Sequence, residues 1–130
     1  MCDKELLIDT LEQIKDTLSV VMKRTKSIQT VDGFYMSESG MILLDSVCMK
    51  LVAIGEAIKN LDKLTDRTLL INYPSINWKD IKGMRDIIVH HYFDVDADEI
   101  YRICQEDLTQ LQQVIKQMLD DLKRSKTNHT

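Results

Sequence analysis

Arg85-Asp86-Ile87-Ile88-Val89-His90-His91-Tyr92 puts a guanidinium, two imidazoles and a phenol into an otherwise apolar stretch. Packing gives a core helix no reason to collect such groups, because burying them unpaired is costly. Arginine offers a planar fork of donors that suits phosphate, and histidine moves protons near neutral pH. Together they fit cleavage of an RNA phosphodiester without a metal ion. A histidine takes the proton from the ribose 2′-hydroxyl or returns one to the departing 5′-oxygen. An arginine stabilises the extra charge on the phosphorane-like transition state. The plainer alternative is that Arg85 pairs with a nearby carboxylate and His90 only ends a helix. From spacing alone the two readings weigh about equally, since structural ion pairs also gather charge.

Helix geometry constrains such a site. Arg85 and Tyr92 are seven residues apart, close to two turns, so they share a face about 11 Å apart along the axis. His90 is five residues from Arg85, which turns it roughly 140° away around an ideal helix. One straight helix therefore cannot aim both at one atom. Either the helix distorts near His90, or a second subunit completes the site in a symmetric homodimer.

The elements that must hold this segment are helical. Leu7, Leu11, Ile14, Leu18 and Val21 recur at steps of four and three, predicting a first amphipathic helix over about residues 3–29. A turn containing Gly33 is expected over 30–37. Leu44, Val47, Leu51, Ile54, Ile58 and Leu61 mark a second helix over about 38–61. Residues 62–76 read as irregular, with a short helical piece near 65–71 and a break at Tyr73-Pro74. Asn77 can cap a third long helix whose buried stripe is Ile81, Met84 and Ile88. Asp96 followed by Glu99 resembles a capping box. The final helix then carries Ile100, Ile103, Leu108, Leu111, Ile115, Met118 and Leu122 on one face. The fold expected is all-α: an up-and-down bundle of four main helices plus a short one. It spans one domain over residues 1–124, with a frayed polar tail over 125–130.

Composition agrees and excludes several classes. The chain has 130 residues, four glycines and a single proline, too few turn-formers for an all-β architecture. A formal charge of −4 argues against a general nucleic-acid coat, although a local basic cleft stays open. Cys2, Cys48 and Cys104 show neither disulfide nor zinc patterning. The start of the chain lacks a signal-peptide pattern, and no apolar run approaches the roughly 20 residues of a membrane span. The expected setting is cytoplasmic, with no membrane contact. A calcium loop starting at Asp94 fails, because its sixth position is Glu99 and its twelfth Gln105. Zinc spacing is missing too, so neither metal nor cofactor is expected. No serine sits in a nucleophile elbow, and there is no glycine-rich phosphate loop. Gly55, inside the second helix, can permit close helix approach; Glu56 can reach the Arg85 region or simply be solvated at the edge of the core.

Three segments carry a family resemblance. Arg85-Asp86-x-x-x-His90-x-Tyr92 fits an R-x4–6-H signature in its extended form. Ile54-Gly55-Glu56-Ala57-Ile58-Lys59 resembles an I-G-E-A-x-K helix. Trp78-Lys79-Asp80-Ile81-Lys82-Gly83-Met84 is similar to the lead-in of a catalytic helix. Ordered together, they resemble the HepT-like members of the HEPN superfamily over most of the chain. The resemblance implies a helical homodimer with a metal-independent ribonuclease site, acting as the toxin of a toxin–antitoxin pair. It implies Arg85 and His90 as catalytic residues and Asp86 in support. It further implies a partner nucleotidyltransferase of the MntA type, which silences the toxin by attaching AMP to Tyr92. Asp86 stands where the family often has Asn, and an Asp there can pair with Arg85 or repel a phosphate. The competing reading is a non-catalytic helical module that binds the nucleotidyltransferase.

Overall fold

Asp3 starts the first helix by accepting hydrogen bonds from the amides of Glu5 and Leu6 at 3.0 and 3.3 Å. In the computed structural model, residues 3–90 and 94–128 are described, with side chains through Arg124. Helix α1 spans Lys4–Thr25 and buries the expected stripe, with Leu11 and Leu18 fully enclosed. It stops earlier than periodicity alone predicts. The Thr25 hydroxyl donates back to the Val21 carbonyl at 2.8 Å, a bond that competes with helix continuation.

The segment expected to be a plain turn contains a single helical turn, α2 (Asp32–Tyr35), which buries Phe34. It rests on the start of α3 (Glu38–Leu64), where Ser37 caps by accepting from the Gly40 amide at 2.9 Å. A Cβ on Gly40 would collide with the Gly33 carbonyl, so this contact requires glycine. Val47, Leu51, Ile54, Ile58 and Leu61 of α3 are buried in the common core.

The helical piece expected near 65–71 forms later and shorter than expected. Asp66 and Arg67 adopt φ of 50° and 62°, and the Arg67 amide bonds to the Asp62 carbonyl at 2.8 Å. This is a left-handed cap that turns the chain out of α3. Only a 3-10 turn at Leu70–Asn72 follows. Asn77 does cap the next helix, accepting from the Asp80 amide at 3.2 Å. That helix is not the single long one expected. It divides at Gly83 into α4 (Trp78–Lys82) and α5 (Met84–His90), because ψ at Gly83 opens to −5°.

Asp96 caps α6 (Ala97–Arg102) through the Glu99 amide at 3.2 Å. The capping box is only half made, for the Glu99 side chain turns to Arg102 instead. A π-helical turn at Ile103–Asp107 joins α6 to α7 (Leu108–Asn128). Across its five-residue step Ile103, Cys104 and Leu108 all stay inside. The α7 backbone remains helical into the segment expected as a tail.

Neighbours run antiparallel. Ser19 meets Gln112 at 2.7 Å while Glu12 meets Lys123 at 3.1 Å, which sets α1 against α7. Arg24 reaches Ser46 at 3.0 Å, tying the end of α1 to the early part of α3. Glu56 faces Arg85, and further along Asp62 faces Lys82, which sets α3 against α4 and α5. The described residues contain helices and no strand. None of these helices is long and apolar enough to cross a membrane.

Candidate active site

Met84 and Ile88, four residues apart, anchor α5 in the core. The junction of α4 and α5 leans directly on α3 at Gly55. A Cβ there would stand 3.1 Å from the Ile81 carbonyl oxygen and 3.7 Å from the Arg85 amide nitrogen. Gly55 thus provides the close approach that its place in the sequence suggested, and it brings the next residue, Glu56, within reach of Arg85.

With Met84 and Ile88 inward, Arg85 and Val89 fall on the edge toward α3. Asp86 and His90 share the outward face, and Ile87 lies on the edge toward α6. Arg85 Nε is 3.2 Å from Glu56 Oε1, and its Nη1 is 3.5 Å from Asp86 Oδ1. Among the described residues Nη2 has no such partner. All three side chains are exposed, so these pairs stabilise by only about 0–1 kcal/mol and yield readily to a ligand anion. The same Glu56 Oε1 also lies 3.8 Å from Lys59 Nζ.

His90 is exposed and is the last described residue of α5. The break at Gly83 precedes Arg85, so Arg85 and His90 stand on one regular stretch of helix, about 1.4 turns apart. The structure does not bring them together within the chain, and no hydrogen bond joins them. Tyr92 and His91 lie outside the described residues.

Apolar surface surrounds these polar groups. Ile87 and Val89 are each 41% exposed. Val89 and Ile88 form one wall of an open groove of about 470 Å³, with Cys48, Met49, Val52, Asp45 and Val95 around it. Met41 and Met49, eight residues apart on α3, extend this exposed surface. Sequence periodicity left Met41 and Met49 unassigned, and Lys59 entered only as the last residue of the I-G-E-A-x-K segment, with no role given to it. Their signal was present, since Met41 and Met49 fall outside the buried stripe of α3.

The buried thiols are not nucleophiles. Burial pushes Cys48 up to about 11 and Cys104 up to about 12, so both stay protonated at neutral pH. Among the described residues, no three His, Cys, Asp or Glu side chains converge as a metal site.

The family model for HepT-like ribonucleases matches residues 7–118, a span that includes every described residue of this site. The chain belongs to the HepT-like ribonuclease family. Among relatives of this HepT-like chain is a Methanocaldococcus jannaschii protein whose name joins gamma-glutamylcyclotransferase to a provisional RNase label. It is 31% identical over 91% of the chain, which spans 50% of that longer protein. A Thermococcus cleftensis protein named "Probable ribonuclease HepT" is 30% identical over 79% of the chain and 86% of its own length. A Caldanaerobacter subterraneus protein with a provisional RNase name is 29% identical over 87% of the chain and 94% of its own length. No solved structure matches the chain.

Proposed function

We propose that this HepT-like chain is the ribonuclease toxin of a toxin–antitoxin pair and acts as a homodimer whose facing α5 helices form the active site. One observation carries the dimeric reading. Arg85 and His90 sit on one regular exposed helix that aims them apart, and exposed Ile87 and Val89 flank them. A distortion between the two residues would have let one chain complete the site, but α5 has none there. A second copy would cover the apolar residues and set the His90 of one protomer across from the Arg85 of the other.

In this reading His90 moves the proton at the 2′-hydroxyl or the 5′-oxygen, and Arg85 holds the charge that builds on phosphorus. Glu56 and Asp86 are positioning residues that orient the guanidinium. The chemistry calls for no metal or cofactor. The expected controller is a nucleotidyltransferase of the MntA type that attaches AMP to Tyr92. The adduct would add negative charge to the motif and oppose an RNA phosphate by like-charge repulsion.

The pairing of Arg85 with two carboxylates favours a second reading, a non-catalytic module that binds the nucleotidyltransferase. One experiment separates them. Unmodified protein, verified by intact mass, is incubated with cellular RNA in EDTA beside a His90→Ala variant of equal helicity. Cleavage by the parent alone supports the metal-free nuclease. Cleavage by neither, with partner binding intact, supports the binding module.

A further inference from the structure

We propose that Lys59 is a second phosphate-binding residue of this site, taking the backbone phosphate next to the one held by Arg85. The proposal rests on the ribonuclease reading. Its basis is a shared atom: Glu56 Oε1 lies 3.2 Å from Arg85 Nε and 3.8 Å from Lys59 Nζ. Two cations from different helices converge on one carboxylate oxygen, which only partly offsets their charge.

Placement gives the pair a direction. Because α3 and α5 are antiparallel, the Met49 and Val52 end of α3 lies beside Val89, and the Asp62 end lies beside Lys82. Lys59 therefore extends the site beyond Arg85 on the side away from His90 of the same chain. An RNA strand crossing Arg85 would continue over Lys59.

Stability does not explain the contact. The Lys59 and Glu56 side chains are exposed, they sit three residues apart, and such pairs contribute little. Lys82 is a useful contrast. It bonds Asp62 at 2.9 Å, and that carboxylate is only 13% exposed, so Lys82 is committed to the fold. Lys59 presents a compact ammonium that can leave Glu56 for a phosphate oxygen at small cost.

The test uses full-length Lys59→Gln and Lys59→Arg proteins with a single-stranded RNA oligonucleotide. Cleavage kinetics are measured, and binding is measured across salt concentrations in a His90→Ala background. Lys59→Gln should raise KM about fivefold, the equivalent of about 1 kcal/mol, with kcat within about twofold of the parent. Its salt slope for binding should fall by about 0.7, one phosphate contact on a single strand. Lys59→Arg should restore both. If the parent cuts RNA and Lys59→Gln matches it in KM and salt slope, this proposal falls alone. If the parent neither cuts nor binds RNA, the ribonuclease reading falls and takes this one with it.

Discussion

Arg85 and Arg102 are both exposed arginines on short helices, yet their surroundings differ in kind. Arg102 has every nitrogen engaged. Glu99 holds Nη2 at 2.6 Å and Nε at 3.2 Å, while Glu106 and Asp107 each approach Nη1 at 3.4 Å. These bonds, led by Glu99, drive its pKa further above the ordinary value. All three carboxylates come from within five residues, so the cluster serves to bind the end of α6 to the π turn. Arg85 has looser partners, one of them from another helix, no partner for Nη2 among the described residues, and a histidine and exposed aliphatic residues on the same helix. An arginine saturated by its own segment is structural. One held across an interface with a donor to spare has the features of a site.

The largest expected effect would break that contrast at once. Arg85→Ala should reduce RNA cleavage by about a hundredfold or more, as loss of a transition-state charge donor does, with the melting temperature nearly unchanged. Arg102→Ala should do the reverse, keeping cleavage and lowering the melting temperature by roughly 2–4 °C. If both variants lose activity equally with no loss of stability, the contrast does not hold. Next comes the apolar flank. Val89→Glu should leave helicity intact while sedimentation shifts toward monomer, and cleavage should fall with the dimer fraction. A monomeric protein of full activity would contradict the composite site.

Gly55→Val tests whether α3 positions Arg85. The added atoms meet the Ile81 carbonyl, so thermal or chemical unfolding should show a loss of about 1–3 kcal/mol, and cleavage should fall more than stability explains. Asp86→Asn should sharpen the comparison from the other side. Asn keeps an acceptor that can orient Arg85 but removes a charge that repels phosphate, so kcat/KM for RNA cleavage should rise roughly threefold, within the range of an exposed pair. The smallest effect concerns acid. The Arg102 guanidinium holds Glu99 below the usual carboxylate range. Its contribution is present above the unfolded-state value and lost as pH falls through the lowered one. The melting temperatures of parent and Arg102→Ala should therefore converge at acid pH.

Local chemistry made much of this readable in advance. The α1 and α3 stripes and the Asn77 and Asp96 caps follow from residue type and spacing, and a glycine inside α3 marked Gly55 as a place where another helix could come close. The misses share a cause. The break at Gly83 and the left-handed Asp66 and Arg67 lie where the chain must leave one helix to pack on another. The α2 turn forms because Phe34 finds a buried place, which local propensity does not report. The half-made capping box at Asp96 gave way because Arg102 offered Glu99 a charged partner.

By itself the sequence determined that this chain is helical, which faces of its long helices are buried, and the order of motifs that marks a HepT-like ribonuclease. Periodicity, capping and motif order are local, and a linear chain displays them directly. Tertiary structure alone decided that α5 stays regular from Arg85 to His90 and that Glu56 gathers both Arg85 and Lys59. It also decided that Val89 and Met49 remain uncovered beside them. Those facts depend on how α5 docks against α3, a long-range balance of close backbone approach at Gly55 and burial of Met84 and Ile88 that no single segment encodes.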